Sequence, residues 1–153
     1  MTTETIAPQA HEIEAEIRIQ AQPPAVWRAL TTEIGRWWPH TFTDEPRAIR
    51  LEPVIGGLFY EQFDDDGAGA LYATVTYIQP QRMLRISGAM GMSGAALYVK
   101  TYRLEPVDGG TLVRTTASTL GAVSAESLEN YRSGGEEVLQ ALKRFAEARS
   151  NDR

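Results

Sequence analysis

The first patterned segment of the chain alternates apolar and polar residues. From Glu12 to Gln20, isoleucine or alanine occupies every second position, with glutamate or arginine between them. Such alternation is typical of a strand that buries one face. The pair Pro23 and Pro24 ends this strand and favours a helix start. We therefore expect a short helix over Ala25–Leu30 and a second one around Thr32–Trp38.

Six further strand-like runs follow, separated by short segments rich in glycine, proline and aspartate. Spacers this short favour hairpins and a meandering antiparallel sheet over parallel crossover units. The predicted strands are Ala48–Leu51, Leu58–Phe63, Leu71–Gln79, Met83–Ser87, Ala96–Leu104 and Thr111–Ala117.

After Gly121 the apolar residues change to helical spacing, which predicts a helix from about Ser124 to Ala148 with Ser124 as its N-cap. A sheet with one apolar face needs a cover, and this helix is the element long enough to supply it. The pattern therefore predicts an α+β helix-grip fold. In this fold a curved antiparallel sheet wraps around a long C-terminal helix, with two short helices after the first strand.

Length and composition place the chain among globular proteins. Its 153 residues are consistent with one domain over residues 12–149, after a flexible tail at residues 1–11. The absence of cysteine excludes disulfides, thiolate metal sites and cysteine nucleophiles. The net charge of −5 argues against nucleic acid as a partner. The N-terminal residues predict no secretory signal, and no run of about 18 apolar residues predicts a membrane span, so we expect a cytoplasmic protein.

The sequence offers few groups for catalysis or metal binding. His11 and His40 are the two histidines, and no pattern brings them together. No Gly-x-Ser-x-Gly motif is present, and the acidic run 64–69 departs from a calcium-loop pattern, which favours a solvated turn. We therefore predict no catalytic residue, no metal and no cofactor. The Gly88–Gly94 loop precedes a strand, so it is not a phosphate cradle, and we expect a flexible loop near a cavity mouth.

Several short motifs resemble one known family in the same order along the chain. They are residues 24–31, Arg36-Trp37-Trp38-Pro39, Gly56-Gly57-Leu58-Phe59, Ala73-Thr74-Val75 followed by Pro80, and Gly110-Thr111. Together with the late helix they resemble Hsp90-ATPase-activator-homologue-1-like domains, which belong to the START/Bet v 1-like (SRPBCC) superfamily. The resemblance covers about residues 12–148. It implies a ligand cavity between sheet and helix.

The chain departs from this family at two positions. Gly134-Gly135 stands where the family's late helix usually has Gly-Trp, and Ala117 replaces a histidine often found near the end of the last strand. The family name also implies a chaperone partner. A full activator carries a further N-terminal domain for which we expect no room in this chain, so this partner is a weaker expectation.

The candidate ligand-binding residues are mostly aromatic. Tyrosine hydroxyls need partners when they are buried, which suits a cavity with a few polar groups, whereas plain core packing is favoured for Phe59. Met90 and Met92 either fold over a ligand or pack on the sheet. The full set is Trp37, Trp38, Phe59, Glu61, Tyr72, Met90, Met92, Tyr98, Lys100, Tyr102, Tyr131 and Gly135.

Three members of this set carry specific hypotheses. Glu61 and Lys100 lie on otherwise apolar strand faces. Because a buried charge needs a partner, they either share a hydrogen-bonded network or a bulge turns one of them outward. Gly135 either enlarges the cavity or leaves a gap that Trp37 or Trp38 fills.

The function that best fits these features is the binding of a small hydrophobic or amphipathic molecule. The alternative is an enzyme acting on such a ligand, cyclase-like or hydrolase-like, with Glu61, Lys100 or a tyrosine as acid or base. A chaperone-associated stress protein is a third hypothesis.

Overall fold

The computed structural model describes residues 7–151 and contains one seven-stranded antiparallel sheet. Its strands are β1 Gln9–Ile19, β2 Ala48–Leu51, β3 Leu58–Gln62, β4 Gly69–Gln79, β5 Met83–Gly88, β6 Ala96–Val107 and β7 Gly110–Gly121. Helix α1 spans Pro23–Leu30, a three-residue 3₁₀ turn spans Ile34–Arg36, and helix α2 spans Ala125–Asn151.

The strand order is β1-β7-β6-β5-β4-β3-β2, so β2 to β7 form a meander and β1 returns beside β7. This confirms the predicted antiparallel sheet. β1 begins at Gln9, so residues 9–11 belong to the strand and not to the expected tail. Residues 1–6 of that tail lie outside the described residues.

The sheet is curved, and two irregularities contribute to its shape. The pairing of β3 with β4 shifts register between Phe59 and Tyr60, and that of β4 with β5 shifts between Val75 and Tyr77. Such bulges bend a strand and increase its twist. The curved sheet wraps around α2, so the helix-grip prediction is confirmed. The second short helix expected around Thr32–Trp38 is wrong, because only a 3₁₀ turn at Ile34–Arg36 forms there.

The second half of α2 closes the hydrophobic core. Leu139, Leu142 and Ala146 lie at helical spacing and pack with Val26 and Leu30 of α1 and with apolar residues of the sheet. The first half of α2 carries fewer apolar residues. Small or polar residues occupy positions 132–135, after Tyr131. One end of the helix is therefore packed tightly, and the other end leaves space above the sheet. Within residues 7–151 no helix is both long and apolar enough to cross a membrane.

Candidate functional site

A cavity of about 430 Å³ lies between the first half of α2, the central strands and the segment that follows the 3₁₀ turn. Ligand pockets commonly have volumes of ~300–1,000 Å³, so the space suits a small molecule. The lining residues are Trp38, Pro39, His40, Thr41, Phe42, Tyr72, Met90, Gly91, Tyr98, Lys100, Tyr102, Asn130, Tyr131, Gly134, Gly135 and Val138.

Aromatic rings form much of the cavity wall. Phe42 stacks on Tyr72 with ring centroids 5.8 Å apart, and Trp38 meets Phe59 edge to face at 5.0 Å. Such offset-stacked and edge-to-face pairs are favourable arrangements of aromatic rings. Phe59 is fully buried behind this wall and does not line the cavity. The wall is therefore largely aromatic and apolar.

The two adjacent tryptophans have different partners. The indole N–H of Trp37 donates a 2.7 Å hydrogen bond to the carbonyl of Ala29, which fastens the 3₁₀ turn to α1. The indole N–H of Trp38 donates to the carbonyl of His40 at 2.9 Å, and its ring faces the cavity. Trp38 thus belongs to the cavity, whereas Trp37 positions the segment that carries Trp38.

Glu61 is fully buried, and its carboxylate holds the loop that forms one wall of the cavity. It accepts four hydrogen bonds, from the backbone N–H groups of Phe42 and Thr43, the Thr43 hydroxyl and the Tyr72 hydroxyl, at 2.6–3.0 Å. Burial by itself would raise the pKa of Glu61, but the hydrogen bonds from Tyr72, Phe42 and Thr43 outweigh it and hold this pKa below its usual value. Glu61 is an ionised structural anchor.

Lys100 has a different environment, and the structure shows no direct hydrogen bond or ion pair between it and Glu61. None of the four hydrogen bonds to Glu61 comes from Lys100. Lys100 is 6% exposed and lines the cavity, with its ammonium group 5.5 Å from the ring centroid of Tyr102. Burial lowers the pKa of Lys100 to about 8. The strand alternation correctly turns both residues inward, but they lie on different strands with separate partners.

Three tyrosines surround Lys100. Burial raises the pKa of Tyr98 to about 12, with a further contribution from Tyr131, and burial also raises the pKa of Tyr102 and Tyr131. Their hydroxyls are therefore protonated at neutral pH and able to donate hydrogen bonds into the cavity. The rings of Tyr98 and Tyr131 lie 6.2 Å apart and connect β6 with α2.

The glycine pair of α2 leaves open space beside Lys100. Apart from its chain neighbours and the backbone of its own helix, a Cβ atom placed on Gly135 would meet one described atom within 4 Å, the Lys100 Nζ at 3.7 Å. Neither Trp37 nor Trp38 fills this position. Gly134 contacts the loop instead, because its carbonyl lies 3.1 Å from the His40 Nε2. The space therefore belongs to the cavity, as the first hypothesis for Gly135 expects.

A tight turn after β5 closes the cavity near Phe42. Met90 and Gly91 adopt left-handed conformations with φ of 49° and 83°, and the Met90 N–H donates to the Tyr72 carbonyl at 2.8 Å. A Cβ on Gly91 would approach the Phe42 ring to 3.0 Å, so a glycine allows this close contact. Met92 lies outside the cavity lining.

The structure thus brings together eight of the twelve candidate residues at the cavity, namely Trp38, Tyr72, Met90, Tyr98, Lys100, Tyr102, Tyr131 and Gly135. Trp37, Phe59, Glu61 and Met92 lie outside its lining. The candidate set lacked the segment Pro39–Phe42, although the sequence placed the aromatic ring of Phe42 in the interior, and hydrogen bonds from Phe42 and Thr43 to Glu61 hold this wall. Within residues 7–151 no cluster of three or more metal-ligating side chains occurs.

Comparisons with known proteins agree with this architecture. The family model described as Activator of Hsp90 ATPase homolog 1-like protein matches residues 20–147. No curated protein matches the chain in sequence.

Solved structures with the same fold have low sequence identity to the chain. An uncharacterized protein from Rhizobium leguminosarum has a TM-score of 0.77 and 19% identity, with 95% of this chain and 99% of that chain covered. A protein of unknown function from Staphylococcus aureus has a TM-score of 0.69 and 15% identity over 95% and 98% of the two chains. Ara h 8.0201 has a TM-score of 0.67 and 15% identity over 90% and 98%.

Proposed function

The chain belongs to the family of Activator of Hsp90 ATPase homolog 1-like proteins, within the START/Bet v 1-like (SRPBCC) superfamily, and from this we propose that it binds a small amphipathic molecule between the sheet and α2. The observation that carries the proposal is the 430 Å³ cavity with aromatic walls and a few convergent polar groups. This combination is the usual construction of a small-ligand site.

The packing around the cavity supports a pre-formed site. The loop wall is fixed by four hydrogen bonds to Glu61, and Trp37 ties the preceding turn to α1. Little conformational freedom is then lost when a ligand enters, which favours affinity. The open position beside Gly135 gives the ligand room that a large side chain on α2 would remove.

A neutral aromatic probe, N-phenyl-1-naphthylamine, tests the proposal. We expect its fluorescence to rise on binding and the emission of Trp38, which lines the cavity, to fall through energy transfer. The variant Gly135→Trp fills the space and should abolish binding, and Gln140→Trp, at an exposed position of α2, is the matched control. Cooperative thermal unfolding establishes that both variants are folded. A wild-type protein that does not bind the probe, or a Gly135→Trp variant that binds it normally, would contradict the proposal.

An enzyme acting on such a ligand is the second candidate function, and Lys100 is the residue that favours it. Its amine faces the cavity, and its pKa of about 8 is close to the range of an effective acid or base. Glu61 is a poor candidate for this role because its carboxylate already accepts four hydrogen bonds. Mass spectrometry of compounds retained by the purified protein, before and after incubation, distinguishes turnover from binding.

A further inference from the structure

Lys100 presents a positive charge to the cavity without a negative charge beside it. The residue is 6% exposed and lines the cavity wall. Among the described residues its ammonium group takes part in no ion pair, and its closest charge-related contact is the face of Tyr102 at 5.5 Å. A buried charge without a partner is costly, so the absence of a carboxylate at this position requires a physical explanation.

The acidic residues near Lys100 are not its partners. Glu61 is committed to the loop by its own hydrogen bonds. Glu14 and Glu136 line a separate void of about 70 Å³ that Lys100 also borders, but neither forms an ion pair with it. The protein as a whole carries a charge of −5, so its overall field does not attract anions. Lys100 is therefore the positive charge that gives the cavity a preference for an anion.

We infer that the ligand is an amphipathic anion whose carboxylate, or a comparable oxyanion, binds the Lys100 ammonium group beside Gly135, while its apolar part contacts the aromatic wall. The inference rests on the proposed function, whose ligand class it specifies. Gly135 provides the room, because the position of its missing Cβ lies 3.7 Å from Nζ and, apart from its chain neighbours and the backbone of its own helix, contacts no other described atom within 4 Å.

The surroundings of Lys100 complete such a subsite. Tyr98 and Tyr131 lie on two sides of the same space, and their protonated hydroxyls are hydrogen-bond donors. A charged acceptor that meets an ammonium group and a hydroxyl forms the stronger, charge-assisted type of hydrogen bond. Trp38, Phe42 and Tyr72 line the same cavity and offer an apolar surface. The cavity therefore offers both a charged group and an aromatic surface, as an amphipathic anion requires.

Two probes with the same ring system test the inference. 8-Anilinonaphthalene-1-sulfonate and N-phenyl-1-naphthylamine share an anilinonaphthalene skeleton, and the first of them carries an additional sulfonate. We expect the wild-type protein to bind the sulfonate at least about tenfold more tightly than the neutral probe. This factor corresponds to the free energy that a hydrogen bond to a charged group contributes. Lys100→Met should abolish this preference, so that the ratio of the two affinities falls to about one. Lys100→Arg retains the charge and should recover part of the preference.

The sequence supplies a matched control, since Lys100 and Lys143 are its two lysines. The Lys143 Nζ donates to Glu147 and to the Arg18 carbonyl, away from the cavity. Lys143→Met should therefore leave the affinities for both probes unchanged. Equal affinities for the two probes in the wild type, or a sulfonate preference that survives in Lys100→Met, would overturn the inference. Failure of both probes to bind would contradict the proposed function instead, so the two failures are distinguishable.

Discussion

The hydroxyl of Tyr72 lies 2.6 Å from a carboxylate oxygen of Glu61, and this contact joins β4 to β3 directly under the loop that walls the cavity. The same carboxylate oxygen accepts the Phe42 N–H at 2.8 Å, and the other oxygen accepts from Thr43. The hydroxyl also lies 2.9 Å from the His40 carbonyl. Since a hydroxyl has one proton, Tyr72 donates to the charged acceptor. A buried carboxylate therefore determines the position of the loop.

Replacing Glu61 by glutamine should lower the free energy of unfolding by about 2–4 kcal/mol, because an amide presents N–H donors to groups that are themselves donors and loses the charge. Urea unfolding measures the effect. Glu52→Gln is the control, since Glu52 is an exposed carboxylate that accepts one backbone N–H, from Leu58. This control should change stability by less than about 1 kcal/mol. Equal effects of the two substitutions would show that Glu61 is not the anchor of the loop.

Stability should also fall in acid because of Glu61. Its pKa is lower in the folded protein than its ordinary value of 4.5. The stabilisation is therefore complete above pH 4.5 and is lost as the pH falls through the folded-state pKa. Urea unfolding between pH ~6 and pH ~3 should show a steeper loss for the wild type than for Glu61→Gln. Parallel curves would indicate that other carboxylates account for the acid sensitivity.

The sequence pattern predicted the fold well because local signals determine it. Each local pattern favours one structure: the alternation in β1 a strand, the short glycine-containing turns hairpins, and the helical spacing in α2 a helix. The loop wall was not predictable in this way. Residues Pro39–Phe42 have no periodicity, and their position depends on Glu61, distant in sequence, which accepts the backbone N–H groups of Phe42 and Thr43 at the end of this segment. For the same reason the pattern showed that Glu61 and Lys100 point inward but not which partners they have.

Lys100→Met should stabilise the free protein by about 1–3 kcal/mol near pH 7, because burial of its ammonium group lowers its pKa from 10.5 to about 8 and so opposes folding. The unfolded state binds this proton more tightly, so the wild type should gain stability as the pH rises from about 8 towards 10. The stability of Lys100→Met should not rise in this way. Urea unfolding across this range measures both effects, and a wild-type curve parallel to that of the variant would contradict the assignment.

Other titratable groups near Lys100 also change the stability in this pH range, and they determine the pH at which the stability stops rising. Tyrosines whose pKa is raised on folding keep their protons to a higher pH in the folded state than in the unfolded state. They therefore lower the free energy of unfolding as the pH rises above about 10. The wild-type curve should therefore turn downward there, and so should that of Lys100→Met. The neighbouring titratable or charged residues are Tyr98 and Tyr102 on β6, Tyr72 on β4, Glu14 on β1, His40 in the loop, and Tyr131, Arg132 and Glu136 on α2.

Gly135→Ala should raise the free energy of unfolding by up to about 1 kcal/mol, since alanine favours a helix interior over glycine by that amount and its Cβ meets no described atom closer than 3.7 Å. The same methyl group would lie against the Lys100 Nζ and occupy the room that an anion needs. The variant should therefore be more stable and bind 8-anilinonaphthalene-1-sulfonate more weakly. Gly110→Ala is the opposite case, because its Cβ would clash with the Ile19 carbonyl oxygen, and it should be strongly destabilising. Thermal unfolding and probe titration measure the two properties separately. A Gly135→Ala variant that is stabilised but binds the sulfonate as well as the wild type does would show that glycine is not needed at this position to admit the anion.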